Sequence, residues 1–531
     1  MAKLSEFLKK FDGNLVTSTI FLFALILAAA LRFSLSNHSL WNDEYASVFF
    51  ASLPVRQLWS TWMVRETNPP LFYTILRGWV ELIGPMGGAW LRVPSIIASI
   101  LAVPVVFTGI KPTYGRKAAV AAALMIAVSA QQIDFAEQVR SYSSLFLAMS
   151  VSFFGLLRIV ISSEGSERER IGAWVAYGTG AVVAIYLHTT ALFWPAIATL
   201  SLLLTDPSFR PIIGRRWAIL VAVDTAILLF AAWWIYITYL QTRMPNSNIS
   251  WIKYEGLLPS LHLIAHSTLL TSKLGFTSLL VFVFAIIGVI RTRSSRATKF
   301  IVVCTVVSVI SYLVISQKQD ILLDRTVLWM SLFPVTLVAA GLGSFRKAHF
   351  FWVSTAGIVV LLLIDLTKNS NFVIEDWRTA MTTVVRDPNA VLIVGDRDTS
   401  IVANEACLVE LHRSQCPFPI LTVSNAIVAL SDARASLNWA DGYLPSIPST
   451  PKGELGLSPR ANIYLIQRGS AQPLPILQNA NLLLNVTPSP NFLLGPYLPP
   501  VNIQLQQESL VVDGVVQLPL SHYSLNRQIM Q

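Results

Sequence analysis

Apolar residues along the first two thirds of this chain come in long blocks and not in short alternation. Nearly uniform apolar runs occupy positions 15–34, 91–109, 117–131, 144–161, 172–188, 190–205, 217–238, 274–290, 299–316, 326–344 and 350–366. A helix needs about 20 residues to cross ~30 Å of hydrocarbon, and several runs are somewhat shorter. The pattern predicts about eleven transmembrane helices. Beyond residue 367 it changes: a helix-like "EDWRTAMTTVVRD" (375–387) precedes the strand-like "AVLIVGD" (390–396), and "NIYLIQ" (462–467) reads as a second strand. Pro-rich stretches at 444–451 and 488–500 read as loop. The chain therefore divides into a membrane domain, 1–366, and a soluble α/β-like domain, 367–531, with no glycine-rich phosphate loop.

Composition agrees: of 531 residues, 54% are hydrophobic and only 13% charged, which excludes an ordinary soluble protein. The net charge of +10 does not imply nucleic acid, because the basic residues fall in short clusters between apolar runs and not in tracts interleaved with aromatics. Lys3, Lys9 and Lys10, then Lys111, Arg116 and Lys117, then Arg168 and Arg170, Arg210, Arg215 and Arg216, Arg291, Arg293, Arg296 and Lys299, and Arg346 and Lys347 occupy alternate connections. By the positive-inside bias these face the cytoplasm with the N-terminus. Residues 35–90, 131–143, 239–273, 317–325 and 367–531 then lie on the outer side. The first run is longer than a signal-peptide core and reads as an uncleaved span. Cys304 falls within a span; Cys407 and Cys416 fall in the outer tail, where either a disulfide or two thiols is permitted.

Two outer loops exceed what a connector needs. Loop 35–90 holds "EYASVFFASLPVRQLWSTWM" and "PLFYTILRGWVELIG", which read as helices lying in the membrane interface with Trp59, Trp62 and Trp79 at headgroup depth. Loop 239–273 holds another interfacial-looking helix. Long loops of this kind carry function.

The first such loop opens with "LWNDEYAS", which sets Asp43 and Glu44 directly after an apolar run. Carboxylates beside a membrane are costly unless a partner or a task retains them. The pair is either functional or a cap on the helix beginning at residue 43, where acidic side chains favour the positive end of the dipole. His262 and His266 have the i, i+4 spacing of metal ligands but lack the Glu of a metalloprotease helix.

Taken together, "LWNDEYAS", "NPPLFYTILRGW", "LRVPS", "AEQVRSYSSLF", "YLHTT" and "DRTVLWMSLFP" resemble the GT-C glycosyltransferases of the protein mannosyltransferase and lipid A aminoarabinose transferase group. The resemblance covers roughly residues 15–345, and "EDWRTA" at 375–380 resembles the opening of the outer domain in bacterial members. No motif is specific alone; their order, spacing and shared outer placement carry it. It implies a polytopic α-helical GT-C fold that takes a sugar from a polyprenyl-phosphate donor and transfers it, with inversion, to a lipid, glycan or protein acceptor, membrane lipids being its surroundings.

By this resemblance Asp43 is the catalytic base, Glu44 orients it or binds the acceptor, and Glu66 is a second catalytic acid. Asn68 is a substrate contact, although the family often has another polar residue there. Arg140 and Arg325 match positions that clamp the departing phosphate, a task suited to a planar guanidinium. The bland alternatives are a snorkelling Arg140 or its pair with Glu137, and a pair of Arg325 with Asp324 or Asp320. Tyr142 and His188 are further donors to phosphate or sugar. If the acceptor is itself a phosphate, Asp43 positions it or binds a divalent cation instead of acting as base; no cofactor is otherwise implied. The resemblance points to a bacterial inner membrane with a periplasmic C-terminal domain. The rival reading, a transporter or lipid flippase, requires charges or broken helices at mid-bilayer, for which Asp224 is the one ambiguous residue.

Overall fold

The computed structural model describes residues 14–84, 87–161, 167–210, 215–243, 252–271, 273–369, 375–394, 397–418, 420–423, 462–467, 483–485 and 515–517. The Pro-rich stretches 444–451 and 488–500, and residues 244–251 of the second long loop, lie outside them.

Each apolar run forms helix. In order these are α1 (Asn14–Leu35), then α2 (Asn42–Ser52) and α3 (Leu71–Ile83) of the first long loop, α4 (Val93–Val128), α5 (Tyr142–Ile161), α6 (Glu167–Leu187), α7 (Trp194–Thr205), α8 (Arg215–Thr242), α9 (Leu257–Thr268), α10 (Phe276–Thr292), α11 (Arg296–Ser316), α12 (Leu332–Gly343) and α13 (Ala348–Asn369). Among the described residues, eight helices are long and apolar enough to cross a membrane, and α7 and α10 are shorter apolar helices. The helix α4 is two helices in one: the backbone turns out of helical geometry at Gly115 (φ 83°), three residues after Pro112, which separates the runs 91–109 and 117–131. The protein is thus a multi-pass membrane protein. Large apolar side chains such as Leu229, Phe230 and Val353 remain exposed on the helices, as expected where lipid is the solvent.

Close helix packing rests on small residues. A Cβ on Gly155 of α5 would come within 2.8 Å of the Ala173 carbonyl oxygen of α6, and one on Gly180 of α6 within 2.8 Å of the Ala148 carbonyl oxygen of α5. Glycine at both positions lets the two backbones touch, the usual way helices associate without a hydrophobic driving force.

After the last apolar helix come α14 (Trp377–Val384), β1 (Ala390–Val394), α15 (Arg397–Glu410), β2 (Ile420–Val423), β3 (Asn462–Gln467), β4 (Leu483–Asn485) and β5 (Val515–Gln517). The strands form one sheet in the order β4-β3-β1-β2-β5. Strand β1 runs parallel to β2 and β3, in register Leu392↔Ile420 and Leu392↔Tyr464, and β5 closes the edge antiparallel to β2. The two strands expected from sequence are β1 and β3, at the centre. Cys407 and Cys416 are joined by a disulfide that ties the end of α15 to the approach to β2.

One expectation fails in the first loop. The segment that contains α2 does not lie open in an interface: residues 44–51 are all buried. The helix α2 packs against α3 and against α15, which follows the last apolar helix in the chain, so its aromatics serve a core. Phe50 stacks on Tyr73 at 4.8 Å and packs edge-on to Trp62 at 6.0 Å. By contrast α3 keeps Ile75 and Leu82 exposed, as an interfacial helix should.

Candidate active site

The first turn of α2 projects Asp43 into a cluster drawn from three distant parts of the chain. Its carboxylate is 26% exposed. Arg325 Nη1 donates to Asp43 Oδ2 at 3.4 Å, Arg140 Nη2 lies 4.0 Å from the same oxygen, and Asn42 Nδ2 donates to Oδ1 at 3.4 Å. Arg325 arrives from the turn preceding α12 and Arg140 from the turn preceding α5.

Arg140 is buried and held from several sides. Its Nη1 donates to the Asp43 carbonyl oxygen at 3.2 Å and to Ser47 Oγ at 3.2 Å, and its Nε donates to Tyr142 Oη at 3.3 Å. Its guanidinium carbon stands 5.6 Å from the centre of the Tyr142 ring. The Tyr142 ring is in turn 6.1 Å from that of His188. His188 caps the turn that follows α6: its Nδ1 accepts the main-chain N–H of Thr190 at 3.3 Å and lies 2.8 Å from Thr190 Oγ1. Burial first, then Arg325 and Arg140, hold its imidazole down to about 3, so it is neutral.

Glu66 and Asn68 form a second polar patch within electrostatic reach of Arg140. Glu66 Oε1 accepts from Asn68 Nδ2 at 2.7 Å, from the Asn68 main chain at 3.0 Å and from Tyr73 Oη at 3.1 Å. Burial raises the Glu66 carboxyl above its usual range, opposed by Arg140 and Asn68. The loop is pinned by Gln241 Nε2 on the Glu66 carbonyl at 2.6 Å and by Thr189 Oγ1 on the Thr67 carbonyl at 2.8 Å.

Glu44 faces the other way. It is fully buried, receives Arg92 Nε at 3.2 Å and Nη2 at 2.9 Å, and accepts the main-chain N–H of Val139 at 2.7 Å and of Trp41 at 3.1 Å. It is therefore the helix-capping acid of the pair, and it offers no surface to an acceptor. Arg92, in "LRVPS", also donates to the carbonyls of Ser36 at 2.7 Å and His38 at 2.8 Å. Sequence reasoning gave Arg92 no role; its place in "LRVPS", one of the motifs that carry the resemblance, was the available signal. Ser47 and Tyr73 were likewise missed, and at an ordinary helical position neither carries a signal.

His266 lies 3.3 Å from Asp324, whose neighbour Arg325 faces Asp43. Among the described residues no three His, Cys, Asp or Glu side chains converge as a metal site. The groups shown against the Asp43 carboxylate, Arg325, Arg140 and the Asn42 amide nitrogen, are cations and a donor, a set that does not fit a divalent cation. An apolar cavity of about 580 Å³ lies between α3 and the helices α4, α5 and α6, lined by Trp79, Leu82, Ile97, Leu101, Leu147 and Val183 among others.

Residues 67–236 match the family described as dolichyl-phosphate-mannose-protein mannosyltransferase. No curated protein sequence matches the chain. Among solved structures, ArnT from Cupriavidus metallidurans in the apo state is similar over 78% of this chain and 94% of its own, with 13% identity and a TM-score of 0.52. The same protein bound to undecaprenyl phosphate gives 13% identity, 79% and 96% coverage and a TM-score of 0.52. An Archaeoglobus fulgidus oligosaccharyltransferase in complex with Zn and sulfate aligns over 82% of this chain and 71% of its own at 12% identity, with a TM-score of 0.46. The chain has the GT-C glycosyltransferase fold, the class that its sequence motifs resemble.

Proposed function

We propose that this protein transfers a sugar from a polyprenyl-phosphate donor to a lipid, glycan or protein acceptor at the outer face of a bacterial inner membrane, with inversion. The observation that carries the reading is the half-open carboxylate of Asp43 set between Arg325 and the buried Arg140. A base and a phosphate clamp within one hydrogen-bonded cluster suit this reaction. The acceptor hydroxyl oxygen forms a bond to the anomeric carbon and its proton passes to Asp43; the anomeric carbon–oxygen bond breaks, and its electron pair leaves on the polyprenyl phosphate. Arg140 and Arg325 stabilise that departing charge. Phosphate competes with Asp43 for the two guanidinium groups, so donor binding itself frees the carboxylate to act.

Tyr142 and neutral His188 face the same space as hydrogen-bond donors, and Glu66 with Asn68 forms the wall that meets the sugar or acceptor. Glu44 acts by fixing the turn from which Asp43 projects. The apolar cavity between α3 and α4–α6 suits the isoprenoid tail, since Leu187, which lines it, directly precedes His188. In this reading residues 1–366 form the catalytic membrane domain and 367–531 a periplasmic domain, with the N-terminus cytoplasmic. ArnT is described as bound to undecaprenyl phosphate, which supports a lipid phosphate as the leaving group here. No step passes through a metal ion. The transporter reading loses its best residue: Tyr177 Oη of α6 donates to Asp224 at 2.7 Å and Thr199 Oγ1 of α7 donates to its other oxygen, so Asp224 joins three helices.

The test is sugar transfer from a panel of radiolabelled polyprenyl-phosphate sugars in membranes holding equal amounts of native protein or Asp43→Asn. Transfer by the native protein alone is expected. Equal transfer by both removes Asp43 from the chemistry, and no transfer from any donor defeats the proposal.

A further inference from the structure

Two acids that this mechanism does not use, Glu375 and Glu410, come from the far side of the last apolar helix and reach back to the loop that carries Asp43. The main-chain N–H of Leu40 donates to Glu410 Oε1 at 3.4 Å, and that of Asn42 donates to Glu375 Oε2 at 2.8 Å. Between them, the N–H of Trp41 donates to Glu44. Three successive amides immediately before Asp43 are thus each received by a different carboxylate. Amides entering a helix have no intrahelical acceptor, and negative charge is favoured there, so the local backbone both needs and rewards these acids.

The two outer acids are themselves held firmly. Glu375 Oε2 also accepts Trp377 Nε1 at 2.6 Å, and the buried Trp377 ring meets Tyr45 of α2 edge-on at 6.0 Å. Glu410 accepts Tyr45 Oη at 2.7 Å and Arg378 Nε at 2.8 Å, while the Arg378 main chain donates to Ser39 Oγ at 3.2 Å. Glu410 ends α15, the turn secured by the Cys407–Cys416 disulfide. Just beyond it, the His412 ring stands only 2.6 Å from where a Cβ on Gly87 would fall, a second close approach of the outer domain to the first loop.

We propose that Glu375 and Glu410 are positioning residues: the outer domain sets the backbone of residues 40–42 and thereby aims Asp43 at the lipid-phosphate site. Neither acid touches substrate. Misplacing a reacting group by about 1 Å costs on the order of 10²-fold in rate, so a loop held by three carboxylates is where that error would enter. For its kinetic consequence this inference rests on the proposed transferase function; for its structural content it does not.

The experiment uses the full chain in lipid nanodiscs, with Glu375→Ala, Glu410→Ala and Glu375→Gln. Hydrogen exchange is followed over residues 39–47, and kcat and KM are measured with the active donor. Both alanine variants are expected to speed exchange of amides 40–42 by roughly 10-fold or more and to lower kcat by a similar factor, with donor KM nearly unchanged. Glu375→Gln keeps an oxygen that accepts both N–H groups and should recover most of each loss. Glu375→Asp, which withdraws the oxygens by one bond, supplies the contrast should an alanine variant fail to fold. Unchanged exchange in the alanine variants overturns the proposal, as does a raised KM with kcat intact. If the native protein transfers no sugar, the transferase reading fails, while the exchange measurement still decides whether the outer domain clamps this loop.

Discussion

Arg140 grips Asp43 at both ends: Nη1 donates to its main-chain carbonyl at 3.2 Å, and Nη2 stands 4.0 Å from its carboxylate. The same guanidinium reaches Ser47 and Tyr142. A lysine carries the charge but cannot span four partners from one nitrogen. Arg140→Lys should therefore fold, with its melting temperature within a few degrees of native, and lose transfer by on the order of 10²-fold or more at saturating donor. Initial rates on matched membranes check this, and a near-native rate in the lysine variant would place the phosphate clamp elsewhere.

Asp43 and Glu44 are adjacent but should fail in different ways. Removing Glu44 strands the fully buried guanidinium of Arg92, and breaking a buried pair by deleting one partner costs about 3–5 kcal/mol. Asp43 is partly exposed, and asparagine keeps its size and most of its contacts. Glu44→Ala should lower yield and melting temperature sharply, whereas Asp43→Asn should keep both and lose only transfer. Melting curves of the two purified variants decide it; equal stability would mean that the Arg92 pair does not hold the loop.

Those two acids also show how far the sequence could be read. The apolar blocks marked each helix because hydrophobic length is written directly in composition, and even the break at Gly115 fell between two runs. The order of short motifs brought Asp43, Arg140, Tyr142, His188 and Arg325 into one reading, and the fold gathers them around one cluster. What could not be read was direction. In a helix, neighbours at i and i+1 point roughly 100° apart, so Asp43 and Glu44 look alike in sequence and part company only once packing gives one of them Arg92. The burial of α2 was hidden for a related reason: its second cover is α15, more than three hundred residues away, and an aromatic-rich segment reads the same whether lipid or protein lies over it.

His188 has its tautomer written in its contacts. A main-chain N–H can only donate, so Nδ1, which receives Thr190 N–H at 3.3 Å, carries the lone pair and Nε2 carries the proton. The imidazole titrates at about 3 in the folded protein, through burial and then Arg325 and Arg140, against about 6.5 when unfolded. Below about pH 6.5 the unfolded chain binds a proton that the folded chain refuses, so stability is present above that pH and is lost as pH falls toward 3. His188→Asn should flatten the acid side of the stability profile. It should also leave the shape of the native pH–rate curve unchanged between roughly pH 5.5 and 8 while lowering its height. A lost limb near pH 6.5 in the variant would show that the ring titrates in the working enzyme.

Glu137 presents the opposite sign. It is 8% exposed, its Oε1 accepts no hydrogen bond among the described residues, and its Oε2 lies 3.5 Å from His38 Nε2. This is not an ion pair. His38 Nδ1 faces the Ser39 carbonyl at 3.1 Å and so carries the proton, and burial, then Arg92 and Arg378, keep the ring neutral by holding it down to about 3. Burial first and then Asp134 push the Glu137 carboxyl up to about 8, so it is largely protonated at neutral pH beside the neutral His38 ring. A carboxyl raised in the folded state contributes fully below its unfolded value near 4.5, and that contribution is lost as pH climbs through about 8. Native protein should accordingly melt lower at pH 8.5 than at pH 5.5, and Glu137→Gln, which keeps a donor toward His38 and never ionises, should remove much of that difference. Melting temperatures of the two proteins at both pH values test it. An equal decline in both would mean that the proton is lost from some other group, with Asp134, itself raised to about 7 by burial and Asp324, the next to replace.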